Sequence, residues 1–141
     1  MNPTVTVLVT HHLDCNRPYL DLCLQALDRT EGIEIEVIVL ADSESCPTVP
    51  DGMTLVHNPD LNTATKKVHF GVAMSHPESK YFLLLSDDVV IGKRTIQTLV
   101  QTTGDQHGIM NPMSNSDNGG QFYAKFKWGC NADISEFTRF E

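Results

Sequence analysis

Two adjacent carboxylates, Asp87 and Asp88, terminate the apolar run Tyr81-Phe82-Leu83-Leu84-Leu85-Ser86. Side by side they repel, and a hard divalent cation, which prefers oxygen ligands, relieves that repulsion. Metal and phosphate chemistry is therefore one reading of the pair; a helix cap or a solvated turn is the other. The same arrangement recurs upstream. Ile33 to Leu40 alternates and then becomes solidly apolar before Ala41 and Asp42, and Val5-Thr6-Val7-Leu8-Val9 runs into Thr10 and a polar stretch holding His11, His12, Asp14 and Asn16. Lys66 and Lys67 fall in the early turns of a helical pattern that starts at Thr63. There the helix dipole and free backbone N–H groups favour an anion, although a lysine pair is more usually a solvated face.

The elements that position these groups are legible from periodicity. After the first strand, Pro18 opens a helix whose Leu20, Cys23, Leu24 and Leu27 form one apolar stripe, and that helix is expected to end near Gly32. Residues 53–57 read as a short third strand. Val68, Gly71 and Val72 mark the inner side of the helix after Thr63, and Tyr81 to Leu85 reads as a strand buried on both faces. Ile96, Leu99 and Val100 mark a further helix, followed by a brief strand at 108–110. Residues 111–120 form a loop by composition, 121–128 alternate as a half-buried strand, and 133–140 fit a short helix. Strands alternating with helices predict an α/β fold, a mostly parallel, doubly wound sheet with helices on both faces. In such a sheet the strand C-termini share one edge, so Thr10, Asp42 and Asp87–Asp88 are expected to line a common crevice.

The bulk properties narrow the function. A chain of 141 residues fits one domain. A formal net charge of −8 argues against nucleic acid as a partner, because phosphate contacts need concentrated Lys and Arg. No apolar run is long enough to span a bilayer and no signal sequence opens the chain, so a cytoplasmic protein is expected. Cys15, Cys23, Cys46 and Cys130 contain no C-x-x-C pair, which signals neither a zinc site nor a thioredoxin-type motif.

In this order the segments resemble the nucleotide-sugar glycosyltransferases of the GT-A fold, especially the large inverting family two. Val5 to Thr10 with Asn16-Arg17 is similar to that family's opening strand and turn. Glu36 to Ser45 is similar to its second strand, with Glu44 where glycine is usual. Residues 58–74 are similar to its Asn-rich loop and helix, and Ser86-Asp87-Asp88 to its metal-binding D-x-D segment. The resemblance implies a Rossmann-like, nucleotide-sugar-binding part over about residues 1–110 and an abbreviated acceptor-side part over 111–141. It implies that Asp42 accepts hydrogen bonds from the base or ribose, that Thr10 and His12 lie against the base, and that Lys66 or Lys67 meets the diphosphate. Asp88 would bind Mn²⁺ or Mg²⁺, and Asp87 would hold the ribose or a metal-bound water; these two are the catalytic candidates. The activity implied is metal-dependent transfer of a sugar from a nucleotide-diphosphate donor, most simply UDP-linked, to a hydroxyl of a glycan, lipid or protein. For the general base the acids to consider are Asp117, Asp133 and Glu136. A nucleotide-sugar-binding module that does not catalyse, or needs a partner, and a nucleotidyltransferase are the alternatives. The alternating face around Tyr123 to Trp128 could cover the core or form a contact in a homo-oligomer.

Overall fold

The computed structural model describes residues 3–105 and 108–110. Four strands, β1 (Val5–His11), β2 (Ile35–Ala41), β3 (Thr54–His57) and β4 (Tyr81–Ser86), form one sheet in the order β3-β2-β1-β4, and all three pairings are parallel. Three helices, α1 (Arg17–Asp28), α2 (Ala64–Met74) and α3 (Thr95–Thr103), flank it. The fold is the expected α/β, Rossmann-like arrangement with helices on both faces.

Strand alternation divides the core into two layers. Val5, Val7, Val9, Val37 and Val39 pack with Leu20, Cys23, Leu24 and Leu27 of α1 and Ile96 of α3 on one face. Leu8, Ile38 and Leu40 point to the other face, where Leu61 and Val68 cover them. The branched strand residues suit a pleated, doubly covered surface, and each buried Leu of α1 contributes roughly 1.5–3 kcal/mol of transfer free energy. Helix α2 lies very close to the sheet: a Cβ on Gly71 would sit 2.8 Å from Leu8 Cδ2 and 2.9 Å from Leu40 Cδ1. Glycine is what permits that approach.

Four expectations are corrected. Helix α1 ends at Asp28, and the chain reverses through Gly32 at φ 77°, a conformation that favours glycine. In α2 the inner side is formed by Lys67, Val68 and Gly71, while Val72, expected there, is exposed. Strand β4 is the edge of the described sheet and is not buried on both faces: Phe82 is 45% and Leu84 56% exposed. Its apolar run reflects one face packed under α1 and α3 and the other left beyond the reach of α2. Residues 108–110 are not a strand. The loop at 111–120, the strand at 121–128, the helix at 133–140, Cys130, and the acids Asp117, Asp133 and Glu136 lie outside the described residues.

Candidate functional site

The parallel register aligns the strand ends. Thr10 neighbours Leu40 on one side and Ser86 on the other, and Ala41 neighbours His57. The groups that follow, His12, Asp42 and Asp87–Asp88, therefore share the C-terminal edge of the sheet, and with β1 between them the ends of β2 and β4 are about 10 Å apart. Beyond the ladder, Asp42 N–H still donates to His11 O at 3.3 Å and Asn58 N–H to Ala41 O at 2.9 Å, so Asp42 leaves the sheet in a fixed direction.

Alternation sorts the edge into two clusters. His11 continues the inward series of Val5, Val7 and Val9 and is fully buried, and its Nδ1 lies 2.6 Å from Asp87 Oδ2. A carboxylate only accepts, so the imidazole donates. Asn16 Nδ2 donates to the other Asp87 oxygen at 3.3 Å. Asp87 is thus engaged within the protein, pinning the end of β4 to the end of β1 and the start of α1. The Nε2 of His11 is buried with no hydrogen-bond partner among the described residues. Neighbouring Cys23, beneath this cluster on α1, has its thiol pushed up to about 12 by burial and by the nearby charges of Asp87 and Asp88.

On the α2 side, Asp42 extends the series Ile38 and Leu40 and meets Lys67, whose Nζ is 2.9 Å from Asp42 Oδ1; both side chains are almost fully buried. His12 Nδ1 lies 3.0 Å from each Asp42 oxygen. Burial pushes the Asp42 carboxyl up, but the hydrogen bonds and positive charge of Lys67, with His12, outweigh it and hold the group below the ordinary carboxylate range. Asp42 is a fixed buried anion.

The remaining candidates stand apart from these pairs. Thr10 is half-buried between the strand ends. Lys66 is exposed and folds back on its own loop, donating to Asn62 Oδ1 at 2.9 Å, while Thr63 caps α2 by accepting from Lys66 N–H at 3.2 Å. Asp88 is exposed. The loops after β1 and β2 brace each other: Ser45 donates to Asp14 through its hydroxyl at 2.9 Å and its N–H at 3.3 Å, and Arg17 Nη2 donates to Cys46 O at 2.6 Å. The Ser45 hydroxyl holds the Asp14 carboxyl below its ordinary range. Among the described residues no group of three or more His, Cys, Asp and Glu is placed to hold a metal. Of Asp42, Asp87 and Asp88, Asp88 is the exposed one, and a hard cation held there would retain waters and take its other ligands from phosphate oxygens. A groove of about 640 Å³ lies at the opposite edge of the sheet, against Thr4, Gly32, Glu34 and Met53, remote from these carboxylates.

Neither His11 nor Asn16 stands out as functional from its position in a polar loop. The inward alternation of β1, continued two residues past Val9, is the signal that marks His11 as a buried group needing a partner.

The architecture is an α/β, Rossmann-like fold with its carboxylates gathered at the C-terminal edge of a parallel sheet. Three solved structures share it, all of TarS from S. aureus. The chain aligns with TarS 1–349 at 15% identity and a TM-score of 0.56, covering 80% of this chain and 39% of that one. With TarS 1–349 in complex with UDP-GlcNAc the values are 16%, 0.53, 80% and 38%, and with the longer TarS structure 15%, 0.52, 80% and 24%. The chain thus spans about two fifths of TarS 1–349, and identities this low establish the fold alone. No protein-family model matches the sequence, and no curated protein matches it. No described helix is long and apolar enough to cross a membrane.

Proposed function

We propose that the chain binds a nucleoside-diphosphate sugar at the C-terminal edge of its sheet and acts in sugar transfer from it, with a UDP-linked donor as the simplest fit. One observation carries the reading: a buried, ionised Asp42 and an exposed Asp88 at the ends of strands flanking β1, in a fold shared with a protein crystallised with UDP-GlcNAc. A fixed carboxylate at a strand end suits the N–H and O–H donors of a base or ribose. Thr10 and His12 line the approach to it. Asp88 would hold Mn²⁺ or Mg²⁺ together with diphosphate oxygens, and the ion would supply Lewis-acid stabilisation of the departing diphosphate.

Asp87 serves in this account as the post that fixes the end of β4, because His11 and Asn16 occupy its oxygens. Lys67 neutralises Asp42 from beneath. Of the two lysines, Lys66 is the exposed one, and releasing it from Asn62 frees an ammonium for phosphate. Binding without transfer is the second reading, since Asp87, one of the two catalytic candidates, is already engaged by His11 and Asn16.

Calorimetric titration with UDP and GDP, with and without Mn²⁺, tests the proposal. Metal-enhanced UDP binding that Asp88→Ala abolishes is the expected result, and the absence of binding under every condition would refute it. Hydrolysis of UDP-sugars or transfer to an added acceptor separates catalysis from binding.

A further inference from the structure

Among the described residues the Asp42 carboxylate has two side-chain partners of opposite character. Lys67 reaches it from α2 and is itself 3% exposed, whereas His12 is 64% exposed and spans both carboxylate oxygens at 3.0 Å. Asp42 is 2% exposed. Since Lys67 is itself buried, the solvent-facing partner of Asp42 among the described residues is the His12 imidazole. A ligand donor that took the place of the imidazole would meet both carboxylate oxygens.

We infer that His12 is a specificity-determining latch: it occupies the acceptor face of Asp42 in the free protein, and a nucleobase engages Asp42 only by displacing it with an N–H donor of its own. The inference rests on the nucleotide reading above and deepens it. The displaced contact is a hydrogen bond to an ionised group, and the incoming imide N–H of a uracil ring replaces it with another, so the exchange favours bases that bring such a donor. A base unable to donate would leave the buried carboxylate short of a partner, which is costly and is the usual source of strong discrimination. The latched form also lowers apparent affinity, because only the open fraction of the protein is competent to bind. His12 is suited to this role: it lies one residue beyond the end of β1, and exposed side chains change rotamer readily. Buried His11, one residue earlier and held on Asp87, is fixed.

The test uses the full chain with Mn²⁺ present and compares UDP with N3-methyl-UDP, which lacks the imide N–H. His12→Phe keeps a ring at the position but removes the hydrogen bond. The expected result is that His12→Phe binds UDP about three- to tenfold more tightly than the wild type, with no gain for N3-methyl-UDP. In the wild type, the His12 side-chain nitrogen resonances should move on addition of UDP and stay in place with N3-methyl-UDP. Equal or weaker UDP binding by the variant overturns the latch, and so does an equal gain for both ligands, which would mark a stacking effect. Failure of both proteins to bind UDP overturns the nucleotide reading and the latch with it, whereas UDP binding insensitive to the substitution overturns the latch alone.

Discussion

The buried pair Lys67–Asp42 gives the sharpest energetic prediction. At 2.9 Å the gross attraction is about 6 kcal/mol for an effective dielectric of roughly 20, and the desolvation of both ions consumes much of it. Removing one member of such a pair costs about 3–5 kcal/mol. Here the pair sits at the rim of the sheet, with His12 still available to Asp42, so Lys67→Met is expected to lower the unfolding free energy by about 2–3 kcal/mol, at or just below the lower end of that range. Methionine keeps the helix propensity and most of the buried stem, so the loss reports the charge. Its pH dependence follows in sign. In the wild type Asp42 is held low, so its contribution is present above about pH 4, where the unfolded carboxyl ionises, and is lost as the pH falls through the lower folded value. Without Lys67 the burial penalty on the carboxylate is less well opposed. The deficit of the variant is therefore largest near neutral pH and shrinks toward pH 4 and below. Urea denaturation of Lys67→Met, Asp42→Asn and the double variant completes a cycle. A coupling energy of about 2 kcal/mol at pH 7 is expected; a coupling below about 0.5 kcal/mol, or a deficit independent of pH, would refute the reasoning.

Asp87→Ala strands a buried imidazole whose Nε2 already lacks a described partner, and should cost about 1–3 kcal/mol in denaturant titration. Asp88→Ala, at an exposed position, should leave stability within about 0.5 kcal/mol while removing metal-dependent nucleotide binding by calorimetry. Gly71→Ala drives a methyl into Leu8 and Leu40; overpacking of about 1–3 kcal/mol is only partly offset by a gain of about 1 kcal/mol in helix propensity, so the melting temperature should fall. With its thiol pushed up to about 12, Cys23 should resist iodoacetamide in the folded protein at pH 8, while exposed Cys15 and Cys46 react; mass spectrometry reads the pattern.

What the sequence reveals of this fold is what short-range periodicity encodes. The stripe Leu20, Cys23, Leu24, Leu27 and the branched strand runs specify elements and layers because burial acts on one face at a time. The position of β4 at the edge of the described sheet is a matter of strand order, which no local pattern carries, and so Phe82 and Leu84 read as core although they are exposed. The site is legible to the same degree. Carboxylates at strand ends are visible in the sequence; their partners are not, because each comes from a distant segment. Alternation could have placed Asp42 on the α2 face after Ile38 and Leu40, and the spacing of Lys67 from Gly71 could have put its ammonium on the inner side of α2. Helix dipole reasoning instead directs Lys67 to phosphate, whereas a buried lysine is held by the nearest buried anion.

Everything functional depends on Asp42 and Asp88 facing one ligand across the end of β1. Paramagnetic broadening by Mn²⁺ in the presence of UDP tests this most directly, since the ion relaxes nearby amide signals. The account predicts that signals from residues 10–12, 42–43 and 86–88 broaden together, and that Asp88→Ala abolishes the effect. Broadening confined to other segments, or broadening at 86–88 that leaves 42–43 untouched when UDP is bound, would contradict it.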